Sequence, residues 1–141
     1  MPSVLGQYTG SGFRGGNVAV DSSSEAQGGI RSTARLLSAG ASTNATSVKA
    51  SAGRVYGAQG YNAAASVRYL KLYDKAAAPT VGTDTPVKTV TLPPLTAFAL
   101  DWVLGYAFEN GIAFALTTGG ADADTGALTA ADILGLNIDY S

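Results

Sequence analysis

Two aspartates near the end of the chain are its most metal-like residues. In an extended backbone, side chains two positions apart project to the same side, so the carboxylates of Asp122 and Asp124 would suit a hard cation. The surrounding spacing departs from a calcium loop that starts at Asp122, because the glycine falls one position early, at Gly126, and Ile133 stands where glutamate is required. We therefore predict no bound metal and an exposed acidic loop.

Few residues of this chain are of the types that other kinds of catalysis require. Asp101 and Glu109 could be paired as acid and base, but they flank an apolar stretch with no Lys, Arg or His nearby to give the two carboxyls different roles. The chain has neither histidine nor cysteine, which removes the usual proton shuttle, the thiolate nucleophile and the common ligands of zinc, copper and haem. No glycine run precedes the Lys-Ser/Thr pair of a phosphate loop. We predict a protein that is not an enzyme and needs no cofactor.

Basic and aromatic side chains lie close together in one segment, although they alternate poorly. Arg68, Lys71 and Lys75 stand beside Tyr69 and Tyr73, as on a stacking surface for single-stranded nucleic acid. In an extended strand, however, Arg68 faces away from Lys71 and the tyrosines, which favours packing over stacking. With a net charge of −1 and 13% charged residues, nothing global attracts nucleic acid or an anionic membrane, and neither is predicted as a partner.

Residues 1–43 resemble an extended arm in composition. This segment contains 8 Gly and 8 Ser but few large apolar side chains, so it cannot readily offset its own ordering entropy. Within it, Ile30, Ala34 and Leu37 follow helical spacing, which predicts a short helix over residues 31–38.

From Ala45 onward the pattern has a period of two and is interrupted by turn residues. Seven or eight short strands without a long helix are typical of an antiparallel β-sandwich or jelly roll. We predict an all-β domain over residues 44–141, preceded by the Gly/Ser-rich N-terminal arm. The predicted strands are 47–52, 54–61, 66–73, 87–92, 96–104, 106–109, 112–118 and 134–140.

The strand predicted at residues 66–73 is apolar on both sides. Leu70 and Leu72 project to one side, and Tyr69 and Tyr73 to the other. Because neither side can be left in water without exposing an adhesive patch, we expect one to fill the core and the other to meet a neighbouring subunit. The leucines lack a polar tip and are predicted to face inward. The tyrosines are predicted to lie at an oligomer interface.

Charge is segregated along the chain. All nine Lys and Arg lie at or before Lys88 with four acids, a net +5, whereas the remainder carries six acids and no base, a net −6. Such a division could create a field that orients one face of the protein toward a partner. The alternative, which we favour, is that sheet pairing places basic and acidic strands side by side and cancels the field.

Three runs of sequence beyond the arm are distinctive: TNATSVKASAGRVYGAQGYN at 43–62, RYLKLYDKAAAPTVGTDTPV at 68–87, and GIAFALTTGGADADTGALTAADILGLNIDYS at 111–141. They resemble small structural proteins encoded in tailed-phage virion gene clusters. The second run is similar to that family's RYLKLYNKATAPTVGTDTPV, and the third to its closing segment, with a glycine-led strand, a TxGxADxDT loop and a last strand ending in Tyr. Residues 98–106, FALDWVLGY, depart from the family pattern, which suggests adaptation to this protein's own partner.

The resemblance implies a small β-rich virion protein. Within that class we expect a capsid decoration (cement) protein that binds the outer surface of the phage head, bridges subunits of the major capsid protein and forms a trimer, as decoration proteins commonly do. The alternative is a tail or fibre module that binds a host receptor or glycan, with Trp102 and Tyr106 stacked on a sugar ring. On either hypothesis the contact residues we expect are the aromatics Tyr69, Tyr73, Trp102 and Tyr106.

Overall fold

The computed structural model describes residues 32–141, which form two four-stranded antiparallel sheets packed against each other and no helix. The prediction of an all-β sandwich is confirmed. No helix in this part of the chain could therefore span a bilayer. The strands are β1 Ser32–Leu36, β2 Thr46–Lys49, β3 Gly53–Asn62, β4 Arg68–Asp74, β5 Lys88–Leu92, β6 Thr96–Phe108, β7 Ile112–Thr117 and β8 Ile133–Tyr140.

The strand order is that of a jelly roll. Sheet I has the order β1-β8-β3-β6 and sheet II the order β2-β7-β4-β5, with every neighbouring pair antiparallel. The first strand pairs with the eighth, the second with the seventh, the third with the sixth and the fourth with the fifth. A long hairpin rolled into two sheets has this nested pairing.

The core lies between the two sheets and consists of the inward rows of both. Leu70 and Leu72 of β4 are fully buried there, as the sequence predicts, and face side chains such as Val55 and Ile138 of sheet I. Buried Asn62 closes one end of the core, because its amide group donates to the carbonyls of Leu92 (2.9 Å) and Ser66 (3.1 Å) and accepts from the Ala64 amide (2.9 Å). All three bonds satisfy a polar group that would otherwise be costly to bury.

The nested pairing also brings the basic and acidic parts of the chain together. Each ladder joins one of the strands β1–β4 to one of the strands β5–β8. Arg68 of β4 accordingly forms an ion pair with Asp132 at 2.8 Å, with both side chains largely buried. On the outer face of sheet I, Asp139 accepts from Thr33 at 2.8 Å and from Gln59 at 3.0 Å. The segregation along the sequence is thus partly cancelled in space.

The segment assigned to the arm needs a correction. Residues 31–38 were expected to form a short helix, but Ser32–Leu36 is strand β1, and its register joins Leu36 to Leu136 and Ser32 to Tyr140. The helical spacing misled because alternate residues of the same run, Ala34 and Leu36, also pack on the core as a strand requires. The sandwich therefore includes residues 32–43 and does not begin at residue 44. The rest of the arm, residues 1–31, lies outside the described residues.

Most other strands lie within a few residues of their predicted positions, with one informative exception. The segments 96–104 and 106–109, expected as two strands, form the single strand β6 of 13 residues. An irregularity in β6, described below, is the reason why the sequence pattern is interrupted at Gly105. A short turn follows β6, and the Asp74 carboxylate accepts the backbone amides of Asn110 (2.7 Å) and Glu109 (3.2 Å) there.

Candidate docking surface

Strand β6 lies at the edge of sheet I and carries a large bulge. Its register with β3 joins Asp101 to Gly57 and then Tyr106 to Val55, so residues 102–105 of β6 oppose Tyr56 alone. We call residues 102–105 the β6 bulge. Extra residues in one strand bend it and push its backbone out of the ladder, and such bulges are common at sheet edges and functional sites.

The tip of the β6 bulge is apolar and unusually exposed. Val103 is 83% exposed and Leu104 is 84% exposed, the two highest values among the large apolar side chains of the described residues. Single exposed apolar residues are ordinary, but two adjacent ones on a bulge form a continuous apolar patch, which makes this surface the candidate for docking.

Two features fix the base of the β6 bulge. Gly105 has φ of +79°, a conformation that L side chains rarely adopt, and a Cβ there would lie 2.9 Å from the Tyr56 ring. The guanidinium of Arg54 donates from Nη1 to the carbonyls of Leu104 (3.1 Å) and Gly105 (3.0 Å). The carbonyls that the bulge removes from the ladder thus have a charged donor, which holds the bulge in one shape.

Trp102, the first residue of the β6 bulge, and Tyr106, which directly follows the bulge, pack against the core. Their ring centroids lie 6.4 Å apart, and Tyr106 continues the stack to buried Phe108 at 5.4 Å. The ammonium of Lys88, on edge strand β5 of sheet II, lies 4.8 Å from the Tyr106 ring centroid and 5.8 Å from that of Trp102. Both rings are half-buried, so their role in the described structure is to support the bulge.

The structure places the other two predicted interface residues elsewhere. Tyr73 is only 1% exposed and packs with Ala113, Ala115 and Val81 of its own chain. Half-buried Tyr69 lies against Gly120, where a Cβ would come within 2.8 Å of the ring. The side of β4 that was predicted to meet a neighbouring subunit is therefore covered by the chain itself. The loops that cover it, residues 75–87 and 118–132, are called the covering loops below.

A buried lysine fastens one covering loop to sheet II. Lys71 is fully buried, and its ammonium donates to the backbone carbonyls of Ala121 and Asp124, the latter at 3.3 Å. The Asp124 carboxylate in turn accepts the amides of Gly126 (2.8 Å) and Gly119 (3.2 Å), which closes the loop on itself. Asp122 is exposed and shares none of these bonds. The two aspartates therefore differ in role, and the Asp124 oxygens serve the fold.

The pKa values of two side chains, Asp84 and Tyr73, are shifted at the covering loop of residues 75–87. The carboxylate of Asp84 forms an ion pair with Lys75 and accepts the Thr80 amide at 2.6 Å. The Lys75 side chain and then the Thr80 amide lower the pKa of Asp84. Burial, reinforced by the nearby charges of Asp84 and Asp122, raises the pKa of Tyr73, whose hydroxyl has no hydrogen-bond partner among the described residues.

The structure brings together no catalytic set in the part of the chain that it describes. Asp101 and Glu109 are both exposed, and the β6 bulge lies between them along the strand. Within residues 32–141, no three acidic side chains are grouped as a metal site would require. An open cleft of about 410 Å³ lies at the start of β3 and is lined by Lys49, Arg54, Phe108 and neighbouring small residues. It contains no nucleophile paired with a base.

Sequence reasoning found Trp102 and Tyr106 but missed Arg54, Lys88, Val103 and Leu104 as members of this surface. The available signal was the break of alternation at Val103-Leu104 followed by Gly105, since a glycine inside a strand pattern often marks a bulge. That signal does not reveal how many residues are extruded or which cations approach them. No protein-family model, curated protein or solved structure matches this chain, so its own geometry is what bears on function.

Proposed function

We propose that this chain is a non-enzymatic structural protein of a tailed-phage virion, a decoration (cement) protein that binds the outside of the head. The observation that carries the proposal is the β6 bulge, with Val103 and Leu104 projecting from a base that Arg54 and Gly105 fix. The sequence resemblance from Thr43 onward supports the virion context. The jelly-roll order is compatible with it, although a fold by itself does not assign a function.

The β6 bulge suits docking because two hydrogen bonds from Arg54 and the positive φ of Gly105 define its backbone conformation. Burying one exposed Val or Leu side chain in a partner's pocket stabilises a complex by roughly 1.5–3 kcal/mol. A mobile loop would lose part of that gain through ordering entropy, whereas a bulge fixed by two hydrogen bonds and an aromatic support does not. In this proposal Val103 and Leu104 insert into the major capsid protein.

The rest of the proposal is bridging between capsid subunits. A decoration protein that assembles as a trimer presents several copies of the bulge to neighbouring capsid subunits, and linked contacts gain from high effective concentration. Individually weak docking then produces firm attachment to an assembled head and little affinity for single capsid subunits.

The tail or fibre alternative has less support at this surface. A sugar that stacked on Trp102 or Tyr106 would need a free ring face, but the Lys88 ammonium already lies over both rings. Sugar binding there would require Lys88 to move away.

The test is co-sedimentation of the purified chain with heads of the phage that encodes it. The double variant Val103→Asp/Leu104→Asp should lose binding, because it puts two carboxylates where apolar contact is needed. The control is Ala97→Asp/Ala99→Asp, which adds the same charges at two exposed positions of β6 away from the bulge. Equal binding by all three proteins, or wild-type density at the tail but not over the head in a cryo-electron map, would contradict the proposal.

A further inference from the structure

Two cations flank the apolar tip of the β6 bulge on opposite sides of the sheet. Arg54 precedes the inward-facing Val55 and pairs with exposed Ala107, so its side chain lies on the outer face of sheet I. Lys88 pairs with buried Leu72 across sheet II and reaches the rings of β6 from the side of the core. Among residues 32–141, neither Arg54 nor Lys88 forms an ion pair with a carboxylate.

From this arrangement we infer that the β6 bulge binds an apolar pocket whose rim carries carboxylates facing Arg54 and Lys88. The inference rests on the proposed function and adds the chemistry of the partner. A neutral apolar pocket would leave both cations without a counter-charge at the interface. A basic rim would bring like charges together, which is costly at an interface.

The two cations differ in what they already do. Arg54 donates two hydrogen bonds through Nη1 to the carbonyls of Leu104 and Gly105. Its guanidinium has further N–H groups that can donate to a carboxylate. Lys88 contacts aromatic rings, which leaves its ammonium hydrogens available to an oxygen acceptor. Each cation can therefore receive a partner's carboxylate without giving up its internal contact.

Among the described residues, the carboxylate of Asp101 lies next to the β6 bulge and must be included. Exposed Asp101 pairs with Gly57, directly before the β6 bulge begins. Against an acidic rim, Asp101 is a repulsive charge. The inference therefore predicts opposite signs for two neutralising substitutions on the same surface, which general destabilisation of the protein would not produce.

The experiment measures the affinity of the chain for purified heads of the encoding phage at low and high salt. Lys88→Met removes the charge but retains an unbranched side chain over the rings. Its matched control is Arg35→Met, at an exposed position of β1 on the edge of sheet I opposite β6, which changes the net charge equally. We expect Lys88→Met to bind roughly twofold to fivefold more weakly, Arg35→Met to match the wild type, and Asp101→Asn to bind more tightly.

Salt provides an independent readout. Wild-type affinity should fall as ionic strength rises, and the fall should be smaller for Lys88→Met, because one screened interaction is already missing. If wild-type affinity does not depend on salt and Lys88→Met binds normally, the acidic rim is wrong while the apolar docking of Val103 and Leu104 still stands. If Lys88→Met and Arg35→Met weaken binding equally, only long-range attraction is present and the local rim is again wrong. If the wild type does not bind heads, both the proposed function and this inference fail.

Discussion

The sandwich has two clusters of lysine and aromatic side chains, one buried within the chain and the other beside an exposed apolar patch. On β4, Lys71 and Tyr73 are buried beneath the covering loops and bond or pack within the chain. At the edge formed by β5 and β6, Lys88 lies over Trp102 and Tyr106, beside an apolar tip that is more than four-fifths exposed. In sequence the first cluster is the denser of the two, with two tyrosines and three basic residues between positions 68 and 75.

The segments that pack on the outer face of a strand decide whether its side chains are buried or available to a partner. Strand β4 lies in the interior of sheet II, between β7 and β5, and the long connections that follow β4 and β7 return over its outer face. Strand β6 lies at the edge of sheet I, with its bulge extruded from the ladder. Similar residue types therefore serve stability in one place and are available to a partner in the other.

The largest expected contrast is between truncation of a covered and an exposed side chain. Tyr73→Ala should lower the free energy of unfolding by about 3–5 kcal/mol, because it leaves a cavity under the covering loops. Val103→Ala should change it by less than about 0.5 kcal/mol. Chemical denaturation monitored by circular dichroism measures both. Equal effects would mean that the two regions do not differ as described.

The same substitution, lysine to methionine, should have different effects on stability at Lys71 and at Lys88. Lys71→Met should cost about 1–2 kcal/mol, because the carbonyls of Ala121 and Asp124 lose a charged donor. Lys88→Met should cost less than about 0.5 kcal/mol. Amide hydrogen exchange should also accelerate across residues 119–126 in the first variant only. Unchanged exchange there would contradict the role of Lys71 in fastening the loop.

The two aspartates of the loop allow a similar test at a smaller scale. Asp124→Ala should cost about 1 kcal/mol or somewhat more, because the amides of Gly119 and Gly126 lose their acceptor. Asp122→Ala should be nearly neutral, since its side chain is exposed. A chelator should leave the melting temperature of the wild type unchanged. A clear drop on chelation that calcium restores, and that Asp122→Ala abolishes, would show instead that the loop binds metal.

The smallest effect concerns the Tyr73 hydroxyl. Tyr73→Phe should be neutral or slightly stabilising near pH 7, by up to about 1 kcal/mol, because it removes a buried polar atom that has no hydrogen-bond partner in the described structure. The pKa of Tyr73 is raised above its ordinary value of 10.0, so the folded state holds this proton more tightly than the unfolded state does. The contribution of Tyr73 to stability should thus be constant below pH 10 and be lost as pH rises through the folded-state pKa.

The Phe variant is also the control for this pH dependence. It should lose less stability than the wild type above pH 10, which denaturation at a series of alkaline pH values would measure. Identical decline in the two proteins would mean that Tyr73 titrates in the folded state as it does in the unfolded state.

Much of the fold was predictable because strand patterns are local. The alternation in β8, and the burial of Leu70 and Leu72 in β4, follow from which residues share a face of an extended chain. Strand β1 was not predictable, because a five-residue run containing Ala34 and Leu36 satisfies both helical and strand spacing until its partner β8 is known. The candidate surface was predictable only in its aromatics, since the approach of Arg54 and Lys88 depends on strands distant in sequence.

The amino-acid sequence alone indicates an all-β chain without histidine or cysteine, and with apolar rows sufficient for one sandwich core. These properties follow from the composition and from the period of two within individual strand segments. The tertiary structure shows that Tyr73 is internal while Val103 and Leu104 are exposed, and that the basic and acidic parts of the chain lie side by side. The exposure of a side chain depends on which other segments pack against its strand, and strand pairing and loop placement set those segments, which the local pattern of a strand does not contain.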